Sequence, residues 1–260
     1  TIDSRMQKHA EDAVHEHLSE WQEEFFKHWK NRDAWEYYDK YDRVSSYAKQ
    51  NDLLINKIVK QFQSQDSTLT ESKALDLINT PREMSIWSHN GLIDTLLSPI
   101  DSVKYYKMIL QTGLLAVDPH TGYVKAWVGG TNFEYNQYDH VNKNTKRQVG
   151  STFKPLIYTL AIKEKGYSPC FQVPDMPVCF EPDDARWPIQ KRYCPENSDG
   201  KSSGMMAIKD GLAGSKNQVT AYLMHELSAQ AVVEFAHKMG IESEIPPYPS
   251  ICLGVADISV

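Results

Sequence analysis

Apolar positions in the first part of the chain recur at three- and four-residue steps. Met6, Ala10, Ala13, Val14, Leu18, Trp21, Phe25 and Trp29 fall on one face at helical spacing, which predicts an amphipathic helix capped by Asp3 or Ser4. The pattern breaks at Asn31-Arg32-Asp33. A second helix is predicted over Leu53–Phe62 and a third over Ser72–Asn79, stopped by the restriction that Pro81 places on its predecessor. Asp101 or Ser102 caps a further helix running to Gln111 and ending at Gly113. The aromatic stripe reads as core, because a cofactor box would need polar anchors at matching positions and none is present.

From Gly113 the pattern changes. Leu114–Val117 and Tyr123–Val128 flank a turn, Asp118-Pro119-His120-Thr121-Gly122, and together predict a β-hairpin closed before Gly129-Gly130. Residues 131–150 are polar and aperiodic, a long loop of the kind that carries function. Helical spacing resumes over Ser151–Lys165 through Phe153, Leu156, Ile157, Leu160 and Ala161. A Pro-rich loop then runs from Tyr167 to about Gly204, followed by helical stretches near 205–213, 217–226 and 228–239. The chain thus divides into a largely helical region, 1–112, and a mixed α+β region, 113–260.

The 260 residues leave room for one or two domains, and 41% hydrophobic with 24% charged composition describes a soluble globular chain. A net charge of −6 argues against a nucleic-acid or polybasic membrane-surface partner, both of which need clustered Lys and Arg. No run approaches the roughly 18 apolar residues of a membrane helix. The four cysteines, Cys170, Cys179, Cys194 and Cys252, lack CxxC spacing, and His89, His120 and His140 form no HExxH or HxH pattern, so neither metal nor cofactor is expected. In an oxidising compartment the favoured pair is Cys179 with Cys194, both in Pro-rich loop sequence. Buried free thiols are the alternative. The acidic pairs Glu23-Glu24 and Asp183-Asp184 read as solvated surface.

Ser151-Thr152-Phe153-Lys154 sets a hydroxyl and an amine three residues apart, on one face of a helix. A serine is a weak nucleophile at its own pKa, and a desolvated lysine can serve as its base. A helix N-terminus beneath the serine adds N–H groups for an oxyanion hole. Gly150 permits a tight backbone turn, and Pro155 is tolerated in the first helical turn. Alone the signal is poor: Ser-x-x-Lys is expected about once by chance in such a length. It recurs at Ser46–Lys49 and Ser198–Lys201, and Ser-x-Asn occurs at Ser88-His89-Asn90 as well as at Ser215-Lys216-Asn217. Order and context decide between them.

In that order, Arg147-Gln148-Val149-Gly150-Ser151-Thr152-Phe153-Lys154-Pro155 followed by Gly214-Ser215-Lys216-Asn217 resembles the transpeptidase domain of class A penicillin-binding proteins. The stretch from Val117-Asp118-Pro119 to Gly129-Gly130 resembles the hairpin that opens that domain, and Cys194-Pro195-Glu196-Asn197 the segment before its second motif. Thr1-Ile2-Asp3 with Met6-Gln7 and Ala10 is similar to the linker after the family's glycosyltransferase domain. The resemblance implies a penicilloyl-serine-transferase fold, like that of serine beta-lactamases, truncated here and preceded by a largely helical linker. It also implies the family's motif trio. Ser151 would attack the carbonyl between two terminal D-alanines of a peptidoglycan stem peptide, and Lys154 would take its proton. Ser215 would relay a proton to the leaving amine. Asn217, with Lys216 and Gly150, would hold the substrate, and the Ser151 N–H would supply one arm of the oxyanion hole. A second stem peptide's amine would resolve the acyl-enzyme into a cross-link, and beta-lactams would trap Ser151. The resemblance places the parent protein, membrane-anchored and bifunctional, at the periplasmic face of the bacterial inner membrane.

The family's third motif, Lys-Thr-Gly or Lys-Ser-Gly, is absent. Lys201-Ser202-Ser203-Gly204 carries an extra serine and precedes the second motif, and the chain stops at Val260 without a cap or polar tail, so a fragment is expected that lacks one wall of the site and the other oxyanion donor on which the family's activity depends. The competing readings are a beta-lactamase or D,D-carboxypeptidase-like hydrolase, in which water resolves the acyl-enzyme, and a binding module that does not turn over.

Overall fold

The computed structural model describes residues 2–34, 36 and 50–260. Ser46–Lys49, one of the incidental Ser-x-x-Lys matches, lies outside them. The chain forms two compact units, 1–141 and 142–260.

In the first unit α1 (Ser4–His28) starts at Asp3, whose carboxylate accepts the N–H groups of Arg5 and Met6. Only the four-residue row Ala10, Val14, Leu18 and Gln22 is buried. The three apolar members pack on Ala126 and Val128, and Gln22 exchanges hydrogen bonds with Met108 O and Leu110 N. The expected aromatic core stripe is therefore narrower than read, with Met6 and Trp21 exposed. A two-stranded sheet touches one row of a helix, not a third of its surface. The sheet is the predicted hairpin, β3 (Leu114–Val117) with β4 (Val124–Val128). Gly122, at φ 70°, closes its turn on Asp118 O. The change of sequence style at 112/113 thus falls inside this unit.

A second cluster in this unit joins α2 (Gln50–Gln65), α3 (Glu71–Asn79) and α4 (Pro99–Lys107) through Ile58, Val59, Ala74, Ile78 and Ile100. The fourth helix is capped three residues before the first expected cap, Asp101: Ser98 accepts Asp101 N and Pro99 takes the first turn. Between α3 and α4 the sequence analysis missed a hairpin, β1 (Arg82–Ser88) with β2 (Gly91–Leu97), turning at His89-Asn90 with Gly91 at φ 106°. His89 departs from the expectation of a surface or hydrogen-bonded histidine. It is buried edge-on to Trp87 with Nε2 unpartnered, and burial lowers its pKa, which favours the neutral ring.

The second unit holds β5 (Lys146–Gln148), a 3₁₀ turn Gly150–Phe153, α5 (Lys154–Lys165), β6 (Gln172–Asp175), β7 (Gly204–Ala207), α6 (Ile208–Ala213), α7 (Asn217–Leu227), α8 (Ala229–Lys238), a 3₁₀ turn Pro249–Leu253 and β8 (Asp257–Ser259). Its core unites Ile157, Leu160 and Ala161 of α5 with Val219, Leu223 and Met224 of α7 and Val232 and Ala236 of α8. Antiparallel pairs β6–β7 and β5–β8 flank it. The stretch read as helical near 205–213 opens as strand β7, and the Pro-rich loop contains β6.

Cys179 and Cys194 form the favoured disulfide. Beside it Phe180 and Tyr193 exchange both backbone hydrogen bonds, and the buried Phe180 ring meets Trp187 edge-on. With 15 residues separating the cysteines, removing the cross-link by Cys179→Ser with Cys194→Ser is expected to cost about 3 kcal/mol. Urea unfolding checks this, and an unchanged midpoint would show that the loop holds itself.

Candidate active site

The site is assembled at the point where the β5–β8 ladder runs into a turn. After the ladder, Val149 N donates to Ala256 O and Gly150 N to Gly254 O. Gly150, at φ 56°, then reverses the backbone into the 3₁₀ turn. Ser151 sits on that turn, exposed, while Phe153 and Lys154 are buried as the turn passes into α5. Three residues per turn bring positions 151 and 154 to one side.

The second group comes from the connection between α6 and α7. Ser215 N closes on Leu212 O and Lys216 N on Gly211 O. Ser215 adopts φ 49°, a left-handed conformation that non-glycine residues hold only where the surroundings enforce it. Lys154, 1% exposed, spans the two segments. Its Nζ donates to Ser215 O at 2.6 Å, Ser215 Oγ at 3.1 Å and Asn217 Oδ1 at 2.7 Å. Asn217 Nδ2 in turn donates to Glu196 O at 2.7 Å.

Four of the predicted site residues therefore gather around one buried amine: Lys154, Ser215 and Asn217 in direct contact, and Ser151 three residues away on the same turn. No hydrogen bond joins Ser151 Oγ to Lys154 Nζ. Gly150 supplies the turn. Lys216 points elsewhere, its ammonium 2.7 Å from Asp199 Oδ2 and 3.9 Å from Asp175 Oδ2.

Burial lowers the Lys154 pKa, and the neighbouring Cys252 acts in the opposite direction. Burial also pushes the Cys252 thiol up to about 12, so this free cysteine remains a neutral thiol in the wall of the site. The arrangement is one buried amine, its pKa lowered by burial, that touches a second hydroxyl and stands beside an exposed one. It suits proton transfer into and out of a serine nucleophile. A cavity of about 650 Å³ lies in the first unit, against the 129–139 loop. The chemistry here is located by its side chains.

Sequence reasoning missed Asp175 and Gln218 and gave Asn197 no role beyond its place in the segment before the second motif; all three are buried polar residues behind that motif. Asp175 lay in a stretch read as loop, and nothing local marks its partners.

Residues 60–110 match the penicillin-binding protein middle domain, and residues 112–247, just over half of the chain, match the penicillin-binding protein transpeptidase domain. The chain belongs to the penicillin-binding protein transpeptidase family. Over 150 residues it is 33% identical to penicillin-binding protein 1A of Neisseria cinerea and 29% identical to that of Pseudomonas aeruginosa. Each alignment covers 57% of this chain and 18% of the relative, so the chain spans less than a fifth of the curated relatives it matches. Penicillin-binding protein 1A from Haemophilus influenzae superposes with a TM-score of 0.61 at 20% identity, covering 99% of this chain and 39% of that one. The α+β arrangement around Ser151 is accordingly part of the penicilloyl-serine-transferase fold. No helix among the described residues is long and apolar enough to cross a membrane.

Proposed function

We propose that residues 113–260 carry the acylation half of a D,D-transpeptidase that cross-links peptidoglycan stem peptides, preceded by a region, 1–112, that includes the middle-domain match at 60–110. The observation that carries this reading is the contact of Lys154 Nζ with both Ser215 and Asn217, which joins two motifs more than 60 residues apart around one amine.

Acylation begins when Ser151 Oγ reaches Lys154 Nζ, a contact that forms on the substrate-bound side of the reaction, since catalytic hydrogen bonds tighten there. The neutral Lys154 amine accepts the serine proton as Oγ attacks the carbonyl carbon between two terminal D-alanines. The Ser151 N–H stabilises the oxyanion. The proton now on Lys154 passes through Ser215 Oγ, already 3.1 Å from Nζ, to the departing D-alanine nitrogen. Asn217, held by Glu196 O, orients the substrate amide. The ester left on Ser151 is then attacked by the amine of a second stem peptide, which forms the cross-link and returns the serine its proton. Beta-lactams offer the same carbonyl in a ring whose leaving group stays tethered. The reading places the parent protein at the periplasmic face of the inner membrane, where such peptides are exposed and the Cys179–Cys194 bond persists.

The test is intact-mass measurement after incubation with penicillin, with peptide mapping of the adduct. A single adduct on the peptide containing Ser151, absent from a Ser151→Ala blank, supports acylation by this serine. A long-lived adduct separates a transpeptidase from a beta-lactamase, which would hydrolyse it within the assay. Absence of an adduct both in this chain and in one extended past Val260 would withdraw the assignment in favour of a binding module.

A further inference from the structure

Behind the second motif lies a set of buried polar groups that the acylation chemistry does not use. Asp175, at the end of β6, is fully buried. Its Oδ1 accepts Asn197 Nδ2 at 2.7 Å, its Oδ2 accepts Ser203 N at 2.9 Å, and the Lys216 ammonium stands 3.9 Å from Oδ2. Asn197 Nδ2 also donates to Lys201 O and to Gln218 Oε1, while its Oδ1 accepts Gln218 N at 3.1 Å. Ser202 Oγ completes the set on Gln218 Oε1 at 2.7 Å. Three consecutive residues are thus fastened to the segment 196–203. Lys216 is held through Asp175 and Asp199, Asn217 through Glu196 O, and Gln218 through Asn197 and Ser202.

A buried carboxylate carries a desolvation penalty that its partners must offset, and it adds less to stability than an apolar group of the same shape would. What such a cluster supplies is a single geometry. That geometry is needed at Ser215, whose left-handed backbone requires enforcement from both sides. It is also needed at Lys154, whose ammonium finds all three of its acceptors on residues 215 and 217. The Lys216 side chain is only 14% exposed and is hydrogen-bonded to Asp199, which raises its pKa. Its charge is engaged within the protein and does not face a substrate.

We propose that buried Asp175 and half-buried Lys216 form a strut that positions Ser215 and Asn217 on Lys154, making both of them positioning residues for acylation. The inference rests on the transpeptidase reading for its consequence in rate, though not for its geometry.

The experiment uses Lys216→Met, Lys216→Arg, Asp175→Asn and the Asp175→Asn/Lys216→Met double variant in the full chain. Gly166→Ala, a change remote from the strut, serves as a reference for general loss of stability. The first measurement is the rate at which acetic anhydride labels Lys154, read by mass spectrometry against the exposed Lys163 and Lys165. Lys154 should be protected in the native chain and in Gly166→Ala, and should label at least about tenfold faster in Lys216→Met. The second is the limiting acylation rate at saturating penicillin. It should fall about 100-fold in Lys216→Met, as for a reacting group misplaced by about 1 Å, with reversible affinity within about threefold. Lys216→Arg should recover part of it, and the double variant should be no slower than the worse single variant.

Protection of Lys154 and a limiting rate both unchanged in Lys216→Met would overturn the proposal, as would losses that simply multiply in the double variant. If Asp175→Asn does not fold, Lys216→Met decides. If neither this chain nor one extended past Val260 acylates, yet Lys154 becomes exposed in the variants, the transpeptidase reading fails and the strut stands.

Discussion

A Lys154→Met chain is expected to acylate at Ser151 about 10²- to 10⁴-fold more slowly than the native chain, the range a well-placed general base contributes. Ten-thousandfold corresponds to about 5.4 kcal/mol of barrier. The amine contacts both hydroxyl-bearing Ser215 and the carboxamide of Asn217. Its loss removes the acceptor of the serine proton and the donor that returns it through Ser215. Methionine replaces the buried Lys154 stem with an apolar side chain of similar length, so the fold is retained. It leaves Ser215 O, Ser215 Oγ and Asn217 Oδ1 without their donor, at a cost of about 1–3 kcal/mol for each such group that water cannot reach.

The pH dependence follows from the direction of the Lys154 shift. Burial lowers its pKa below 10.5, so the neutral amine, and with it the acylation rate, rises with pH in a window below 10.5. The same shift sets a stability slope. Between the folded and unfolded pKa values the unfolded chain binds more protons, so this contribution is complete above the unfolded value and is lost as pH falls through the folded one. Both the rising limb and the slope should vanish in Lys154→Met. A variant acylating within tenfold of the native rate, with its pH profile intact, would remove Lys154 from the base role.

How far the sequence discloses this molecule depends on how local the signal is. Ser151, Lys154, Ser215 and Asn217 are legible because each motif is a few residues long and the two occur in a recognisable order. The β3–β4 hairpin is legible because its turn carries Asp, Pro and Gly between two apolar runs. The β1–β2 hairpin carried a usable signal that went unread: Asn90-Gly91 lies between Ile86-Trp87 and Leu92-Ile93, a short-turn signature. Strands β5 and β8 offered none, since each has three residues and they pair across more than 100 positions. The same holds for Asp175, Asn197 and Gln218, whose meaning lies in mutual contact. In α1 the period was right but the buried width was overestimated, because how much of a helix is covered depends on its partner, and the partner is a narrow hairpin.

Gly254 presents the extreme of this non-local information. Nothing around it in the sequence marks it, yet a Cβ at this position would lie 1.9 Å from Gly150 O and 2.7 Å from Gly150 N, with the backbone at φ 70°. Gly254 O also receives the Gly150 N–H. The two glycines press backbone to backbone at the residue before the nucleophile, and neither can recoil without unfastening Val149 from Ala256 and the β5–β8 ladder beyond it. Gly254→Ala is therefore expected to destabilise the chain by about 3 kcal/mol or more, combining a left-handed alanine of about 1–2 kcal/mol with displacement of the ladder. Acylation of the molecules that remain folded should fall about 100-fold, because the turn carrying Ser151 must shift by an ångström-scale distance. Gly166→Ala isolates the two effects. At φ 65° it shares the backbone penalty, but a Cβ there meets nothing within 4 Å, so it should cost only that penalty, about 1–2 kcal/mol, and leave acylation unchanged. Equal losses of stability in the two variants, with equal acylation rates, would show that the Gly150–Gly254 contact yields without consequence. A large difference in both would make that contact the floor on which the nucleophile stands.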